Sequence, residues 1–419
     1  MNKQPSHDVR MRGFTNRARV EAAWEWIDAH ATLRQPETVP LESLSGRVLS
    51  EEIVSDMNVP AFDRSAMDGY ALIGSETVGA SDYNPLTFKI IGEALPGNPF
   101  TGTVESKTAV RVMTGAPMPP NADAVIPAEY AEEANGEVSI TTAVSPGKHV
   151  GRCGEDVSIG QTVLQSGRRL RPQDVGLLAS IGKDRANVIR KPRVRILVTG
   201  NELATPGQPR TESQIYESNS YMLRGLIPRD AGELESVLHI SDDRESISQA
   251  MSKPGADVIL VSGGSSVGAE DFAPTILAKQ GELAIHGIAM RPSSPTGMGL
   301  LNDAVVILLP GNPVSCLCAY DFFAGRAIRQ MAGLSKDWPY ASAQLPLSRK
   351  ISSAIGRVDY CRVRRDGDHL EPLALSGASI LSSTTRADGF VIVPEESEGY
   401  AAETIVTVSW YERPNREDS

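Results

Sequence analysis

The sequence predicts a multidomain α/β and β fold: a central α/β domain on a parallel sheet, an N-terminal linker layer, an irregular β domain and a C-terminal β-barrel-like domain. Three observations carry this. Downstream of Pro192, short apolar runs alternate with helical stretches, the rhythm of a parallel sheet covered on both faces. Between Val39 and Ser145, apolar runs such as "TFKII" and "ADAVIP" are cut by "LPGNP", "TGTV" and "APMPPNA", which favours an irregular β unit. A chain of 419 residues also exceeds one ordinary core and divides into roughly three or four units.

Each element follows from its own stretch. "RARVEAAWEWIDAH", Arg17 to His30, sets Val20, Ala23, Trp24 and Ile27 at helical spacing, an apolar stripe for packing. Residues 15–45 with 146–190 form a discontinuous linker domain, whose second piece holds a short helix capped by Asp174 and running to Ile181. Residues 46–145 are the inserted β-rich domain. In the α/β domain, 191–336, "RVRILV", "SVLHI", "ADVILVSGG" and "AVVILLPGNP" are strands. The helices are "SNSYMLRGLIPRDAG", "RESISQAMSK", "APTILAKQG" and "VSCLCAYDFFAGRAIRQMAG". Residues 337–419 turn to β again, with "DYCRVRR", "HLEPLAL", "GFVIVP" and "TIVTVSW" separated by "RDGD", "SGAS" and "SEGY".

Charge and cysteine usage exclude several classes. A formal net charge of -11 gives no general basic surface, which argues against nucleic-acid binding. Cys153, Cys316, Cys318 and Cys361 lack paired zinc spacing and disulfide density, and read as reduced thiols. The polar start "MNKQPSHDVRMRG" has no following apolar run, so no signal peptide is expected. No stretch reaches the roughly 18 apolar residues of a membrane helix. The expectation is a cytoplasmic protein with neither membrane nor nucleic acid as partner.

Ligands in a parallel sheet collect at the carboxyl ends of its strands, and the unusual loops of this chain lie there. In "VSGGSSVGAEDF", Gly263, Gly264 and Gly268 allow successive amides to face one anion, with Ser265 and Ser266 adding hydroxyl donors. The same pattern also fits a tight strand-to-helix turn. Asp271 favours the first reading, because an acid beside a bound phosphate implies an intervening cation. "TGNELATPG" exposes Glu202, and "HISDDRES" presents Asp242, which fits equally as a cap for the helix beginning near Arg244. Together Glu202, Asp242 and Asp271 sit on three neighbouring strand ends and suit magnesium, which takes a few carboxylates plus phosphate oxygens. In "LPGNPVSC", Pro310, Gly311, Asn312 and Pro313 fix a backbone path into a helix start that can receive an oxyanion, or that simply begins a helix. The acidic stretch "FDRSAMDGYA", with Asp63 and Asp68, lies far upstream of the sheet and could serve its site only by folding over it, within the chain or from a second subunit.

Seven ordered motifs, "PAFDRSAMDGYAL", "RVMTGAPMPPNADAVIPAEY", "GEDVSIGQTVLQSGRRLRPQDVGLLASIG", "VTGNELATPG", "IYESNS", "SGGSSVGAEDF" and "LPGNPVSC", resemble those of the molybdopterin molybdenumtransferase family, which includes the E domain of gephyrin. The resemblance spans the chain from about Ala22 to the last strand. It implies that 191–336 is a molybdopterin-binding domain and that the enzyme is a homodimeric transferase. That transferase would cleave adenylylated molybdopterin in a Mg2+-dependent step and use molybdate as substrate, giving molybdenum cofactor and AMP. By motif, catalytic roles fall on Asp68, Thr114, Asp156, Glu202, Asp242 and Asp271, with metal binding at the last three. The resemblance also implies that the N-terminal acids reach the sheet site across a dimer interface. Arg362 in "DYCRVRR" and Ser379 in "SGAS" match positions that hold molybdate. Implied partners are the upstream adenylyltransferase and the recipient molybdoenzymes.

One segment departs from the family pattern. Where many members carry lysines in "KxxxK" and "KPGKP", this chain reads "HGIAMRPSSP", with Gly287 and Ser294 at lysine positions and Arg291 as a remaining cation beside His286. Each lost contact weakens oxyanion binding by about 1 kcal/mol or more. The departure leaves two alternatives open beside molybdenum insertion: a non-catalytic scaffold, or a hydrolase of another pyrophosphate-containing substrate.

Overall fold

The computed structural model describes residues 17–264, 272–374 and 377–412. The chain divides into two compact units, Thr38–Asn187 and the remainder before and after it.

Helix α1, Val20–His30, buries Val20, Ala23 and Ile27 of the stripe expected from its spacing, while its fourth member, Trp24, is half-buried. In the unit Thr38–Asn187, six strands form one mixed sheet: β1 Gly69–Leu72, β2 Leu86–Ala94, β3 Thr108–Val112, β4 Ala124–Pro127, β5 Ala131–Ala134 and β6 Glu137–Ile140, in the order β4-β1-β3-β2-β6-β5. Gly69 is needed where β1 meets β4, because a Cβ there would stand 1.9 Å from the carbonyl oxygen of Ile126. Helix α2, Pro172–Ser180, starts at a proline, and Asp174 in its first turn reaches back to accept the backbone N–H of Arg171 at 2.9 Å. The Arg171 and Arg168 guanidiniums beside it hold that carboxyl well below the usual range.

The second unit is built on the α/β alternation read from the sequence. Its elements are β7 Arg193–Thr199, α3 Asn219–Arg229, β8 Glu233–Ile240, α4 Arg244–Ser252, β9 Val258–Ser262, α5 Phe272–Gln280, β10 Glu282–His286, β11 Gly297–Leu301, β12 Ala304–Leu309 and α6 Pro313–Ala319. The sheet order is β8-β7-β9-β12-β11-β10. The first four strands are parallel, but β11 and β10 are antiparallel additions, so the sheet is mixed where a parallel one was expected. The reason is local: a tight turn at Asn302, whose φ is +52°, returns β11 directly into β12 with no crossover helix. Alternate residues of the parallel strands feed two cores. Val194, Ile196 and Val198 pack with α1, α3 and α6, while Leu197, Ile259 and Val261 pack with α4 and α5.

A single π turn, Tyr320–Ala324, joins α6 to helix α7, Gly325–Met331. It carries the fully buried Asp321 against the Arg229 guanidinium at 2.9 Å, and the neighbouring buried Asp230 takes Arg329 at 2.9 Å. The C-terminal strands are β13 Ala341–Pro346, β14 Val358–Asp366, β15 His369–Ala374, β16 Gly389–Val393 and β17 Ile405–Trp410. They pair as β14-β16-β17-β13, with β15 and the two-residue strand Met290–Arg291 also on β14. Leu347, just past β13, bridges to Leu370 of β15, and both lie in a separate core with Val363, Val391 and Val408.

Candidate active site

The parallel strands end in step. Ile240 lies opposite Thr199, and Ser262 lies opposite both Val198 and Leu309, so four loops leave one edge of the sheet together. The loop after β7 exposes Glu202, and the loop after β8 carries Asp242. These loops are tied reciprocally: Asp242 Oδ2 accepts the Asn201 N–H at 2.9 Å, and Asn201 Oδ1 accepts the Asp242 N–H at 3.3 Å. The helix cap belongs to the next residue, since Asp243 accepts the Ser246 N–H at 2.9 Å. That division leaves Asp242 beside the Glu202 loop.

The third loop begins at Gly263, with φ +94°, where a Cβ would stand 2.3 Å from the Thr199 carbonyl oxygen. Only glycine lets the β9 end lie this close to the β7 end. A Cβ on Gly311 would meet the Gly263 Cα at 3.7 Å, which places the fourth loop against the third. Asn219, the first residue of α3, locks the pair. Its Nδ2 donates to Ser262 Oγ at 2.9 Å and to the Gly311 carbonyl at 2.8 Å. Glu217, buried two residues earlier, accepts from the Ser220 N–H at 2.7 Å and the Ser220 hydroxyl at 2.6 Å. The Asn219 amide oxygen and the Thr199 hydroxyl at this edge are buried and have no hydrogen-bond partner among the described residues. Gly264 is described, whereas Ser265, Ser266 and Asp271 lie outside the described residues.

Pro313 opens α6 as expected, but the first available amide of that helix is already used. The Val314 N–H donates to the Ala378 carbonyl at 3.0 Å, so the "LPGNP" turn docks the loop of Ser379, which is exposed. Burial pushes the Cys316 thiol in the next turn up to about 12, and Cys361 likewise, so neither is a thiolate near neutral pH.

In the other unit, the acidic stretch is stitched to two further loops. Asp68 Oδ1 accepts both the N–H and the hydroxyl of Thr114, and these donors hold its carboxyl below the usual range. Asp63 accepts the Cys153 N–H at 2.8 Å and the Arg152 guanidinium at 2.7 Å. It thereby anchors the loop of Asp156, whose side chain is exposed and whose own N–H donates to the Val59 carbonyl at 3.0 Å.

The segment that departs from the family pattern has its own physical logic. Gly287 has φ +91°, a left-handed backbone in which a lysine would be strained, and the Ser294 hydroxyl is buried. Arg291, read from the sequence as the remaining site cation, is instead ion-paired with Asp359 of β14. That fully buried carboxylate also accepts the Ser353 hydroxyl at 2.6 Å and faces Arg357 at 3.1 Å. Arg362, fully buried, stands three residues along the same strand, and alternation puts it on the side opposite Asp359. Sequence reasoning gave no individual role to Asn201, Asn219 or Glu217. Their signal was positional, short polar side chains at a strand end and a helix start.

Among the described residues no three His, Cys, Asp or Glu side chains gather as a metal site. Glu202 and Asp242 lie on two loops tied together at Asn201, and two such acids are the kind of sparse hard-oxygen set that magnesium uses with substrate phosphate.

The fold and site define an α/β enzyme with an acidic, glycine-lined edge at its strand ends. Comparison with known proteins gives its family: residues 18–182 match the "MoeA N-terminal region (domain I and II)", 195–330 the "Probable molybdopterin binding domain" and 344–410 the "MoeA C-terminal region (domain IV)". The chain is 35% identical over 388 residues to molybdopterin molybdenumtransferase 2 of Mycobacterium tuberculosis, covering 89% of this chain and 95% of that one. It is 33% identical to molybdopterin molybdenumtransferase of Haemophilus influenzae, covering 89% and 93%. A crystal structure of the molybdopterin biosynthesis MoeA protein from Pyrococcus horikoshii superposes with a TM-score of 0.81 at 32% identity, over 95% of this chain and 100% of that one. The chain belongs to the molybdopterin molybdenumtransferase family, and it is a transferase of molybdenum cofactor biosynthesis.

Proposed function

We propose that this enzyme cleaves adenylylated molybdopterin in the presence of magnesium and molybdate, releasing molybdenum cofactor and AMP. The observation that carries the reading is the reciprocal pair between Asp242 and Asn201, which brings the Asp242 and Glu202 loops together at adjacent strand ends. Glu202 and Asp242, with Asp271, would hold the metal. Bound there, magnesium supplies charge neutralisation for the pyrophosphate. The chain's own residues position the substrate. Gly263 and Gly311 let two backbones approach closely, and Asn219 keeps them in register. A backbone fixed in this way lowers the barrier because it needs no rearrangement as charge develops.

Arg362 and Ser379 are the proposed molybdate residues, with the Ser379 loop supported by its contact with Val314. The working form is a homodimer, in which Asp68, Thr114 and Asp156 serve the site of the second copy. The ion pair with the fully buried Asp359 makes Arg291 a support of the C-terminal sheet more than an oxyanion donor. The test is incubation of the purified protein with adenylylated molybdopterin, molybdate and magnesium, with AMP and cofactor quantified. Glu202→Gln, Asp242→Asn and Asp271→Asn should each suppress AMP release in a folded protein.

A further inference from the structure

A cavity of about 780 Å3 opens between α3, α6 and the C-terminal strands. Its size falls within the roughly 300–1,000 Å3 of small-molecule pockets. Helix α3 links it to the strand-end site. Asn219 at the helix start is fixed to Ser262 and Gly311, and Met222, Leu226 and Arg229 follow at helical spacing as cavity wall. At 1.5 Å rise per residue, the wall runs from about 5 to about 15 Å beyond Asn219. On the facing side stand Tyr411, Arg365 and Asp388.

Asp388 is unusually well fixed for an exposed acid. Its N–H donates to the Val363 carbonyl at 3.0 Å, its carbonyl accepts the Tyr411 N–H at 2.9 Å, and its carboxylate accepts the Arg365 N–H at 2.8 Å. The backbone of β14 and the end of β17 therefore aim this carboxylate, and one of its oxygens carries no backbone partner among those bonds. Apolar side chains from α3, an aromatic ring, an anchored carboxylate and the Arg365 side chain on one cavity lining make a site for a planar heterocycle with a two-donor edge.

We propose that this cavity receives the pterin ring of the substrate, with Asp388 accepting from the 2-amino and N3–H edge and Arg365 facing the 4-oxo group. This rests on the reading of the substrate as adenylylated molybdopterin. A carboxylate offers acceptors only, which matches the two adjacent donors of the aminopyrimidinone. The adenine at the other end of that substrate presents one donor beside an acceptor, a poor match for the same carboxylate. Tyr411 supplies a ring wall for stacking.

The experiment compares 6-methylpterin with 6-methyllumazine, in which the 2-amino group is replaced by a carbonyl, by fluorescence titration of the full-length protein. Wild type should prefer the pterin by about tenfold or more, since the lumazine turns an acceptor toward the carboxylate. Asp388→Asn, which can donate, should abolish or reverse that preference, and Leu226→Trp should weaken both ligands by filling the opposite wall. AMP binding should be unchanged in both variants, and circular dichroism checks their fold. Absence of saturable pterin binding by folded wild type overturns the proposal, as does an undiminished pterin preference in Asp388→Asn. Pterin binding with the stated preference but no AMP release would retire the cleavage reading and leave the pocket standing. AMP release without pterin preference would do the reverse.

Discussion

Both hydrogen bonds that Thr114 can donate, from its N–H at 2.6 Å and its hydroxyl at 2.7 Å, converge on one oxygen of Asp68. A loop whose residue types read as small and acidic is thus a built arrangement in which the carboxylate is held ionised. The backbone donor is the larger cause of the lowered pKa and the hydroxyl the second. Thr114→Val keeps the first and removes the second, so Asp68 should titrate closer to the ordinary range yet still below it. The sign follows from linkage: a carboxyl depressed in the folded state contributes stability above its unfolded pKa, and loses it as pH falls through the folded value. Wild type therefore keeps this contribution to lower pH than the variant. Carboxyl-carbon NMR titration checks this, and identical Asp68 curves would refute it.

Asp242 and Asp243 are adjacent acids with separate tasks. Asp243→Ala removes a helix N-cap and should cost about 1 kcal/mol of stability while AMP release at low temperature stays near wild type. Asp242→Asn keeps side-chain size and should behave oppositely, losing most AMP release with little change in thermal midpoint. Melting curves run alongside AMP assays separate the two, and a common phenotype would count against the division.

The alternation of strand and helix from Pro192 onward was legible because the inner parallel strands are short apolar runs buried on both faces, as in "VILVS" and "AVVILL". The strands β10 and β11 were not, since "GMGLL" is glycine-rich and "ELAIH" starts with a charge. The loops of Glu202 and Asp242 were legible from composition at strand ends. What composition could not reveal was the choice between Asp242 and Asp243 as cap, because both sit at spacing compatible with a helix start and only their partners, Asn201 for one and Ser246 for the other, distinguish them. Arg291 illustrates the same limit. A lone arginine beside Pro292 reads as a free cation until Asp359, 68 positions away in sequence, comes against it through strand pairing.

Arg291→Ala should act on stability first. It removes one cation from the fully buried Asp359, while Ser353 and Arg357 remain, so a loss of about 2 kcal/mol is expected. Half-saturation by molybdate should stay within about twofold once the protein is folded, well short of the tenfold that about 1.4 kcal/mol of lost binding would give. Denaturant melts and a molybdate titration test the pair of statements. Unchanged stability with a tenfold weaker molybdate requirement would restore Arg291 to the site.

Gly263→Ala should be damaging in spite of its small size. The added methyl would meet the Thr199 carbonyl at 2.3 Å, and φ of +94° is strained for any L side chain. The strand ends must then separate, so AMP release should fall by more than tenfold, together with a stability loss of about 2 kcal/mol. Near-normal values of both would show that the β7 and β9 ends are not closely apposed during turnover.

The most direct test of the account is the wild-type reaction itself: adenylylated molybdopterin offered with molybdate, with and without magnesium, and AMP counted against cofactor transferred to an apo molybdoenzyme. The account predicts equimolar AMP and cofactor, each needing both molybdate and magnesium. Folded protein that binds the substrate yet releases neither product, or releases AMP with no dependence on molybdate, would contradict it.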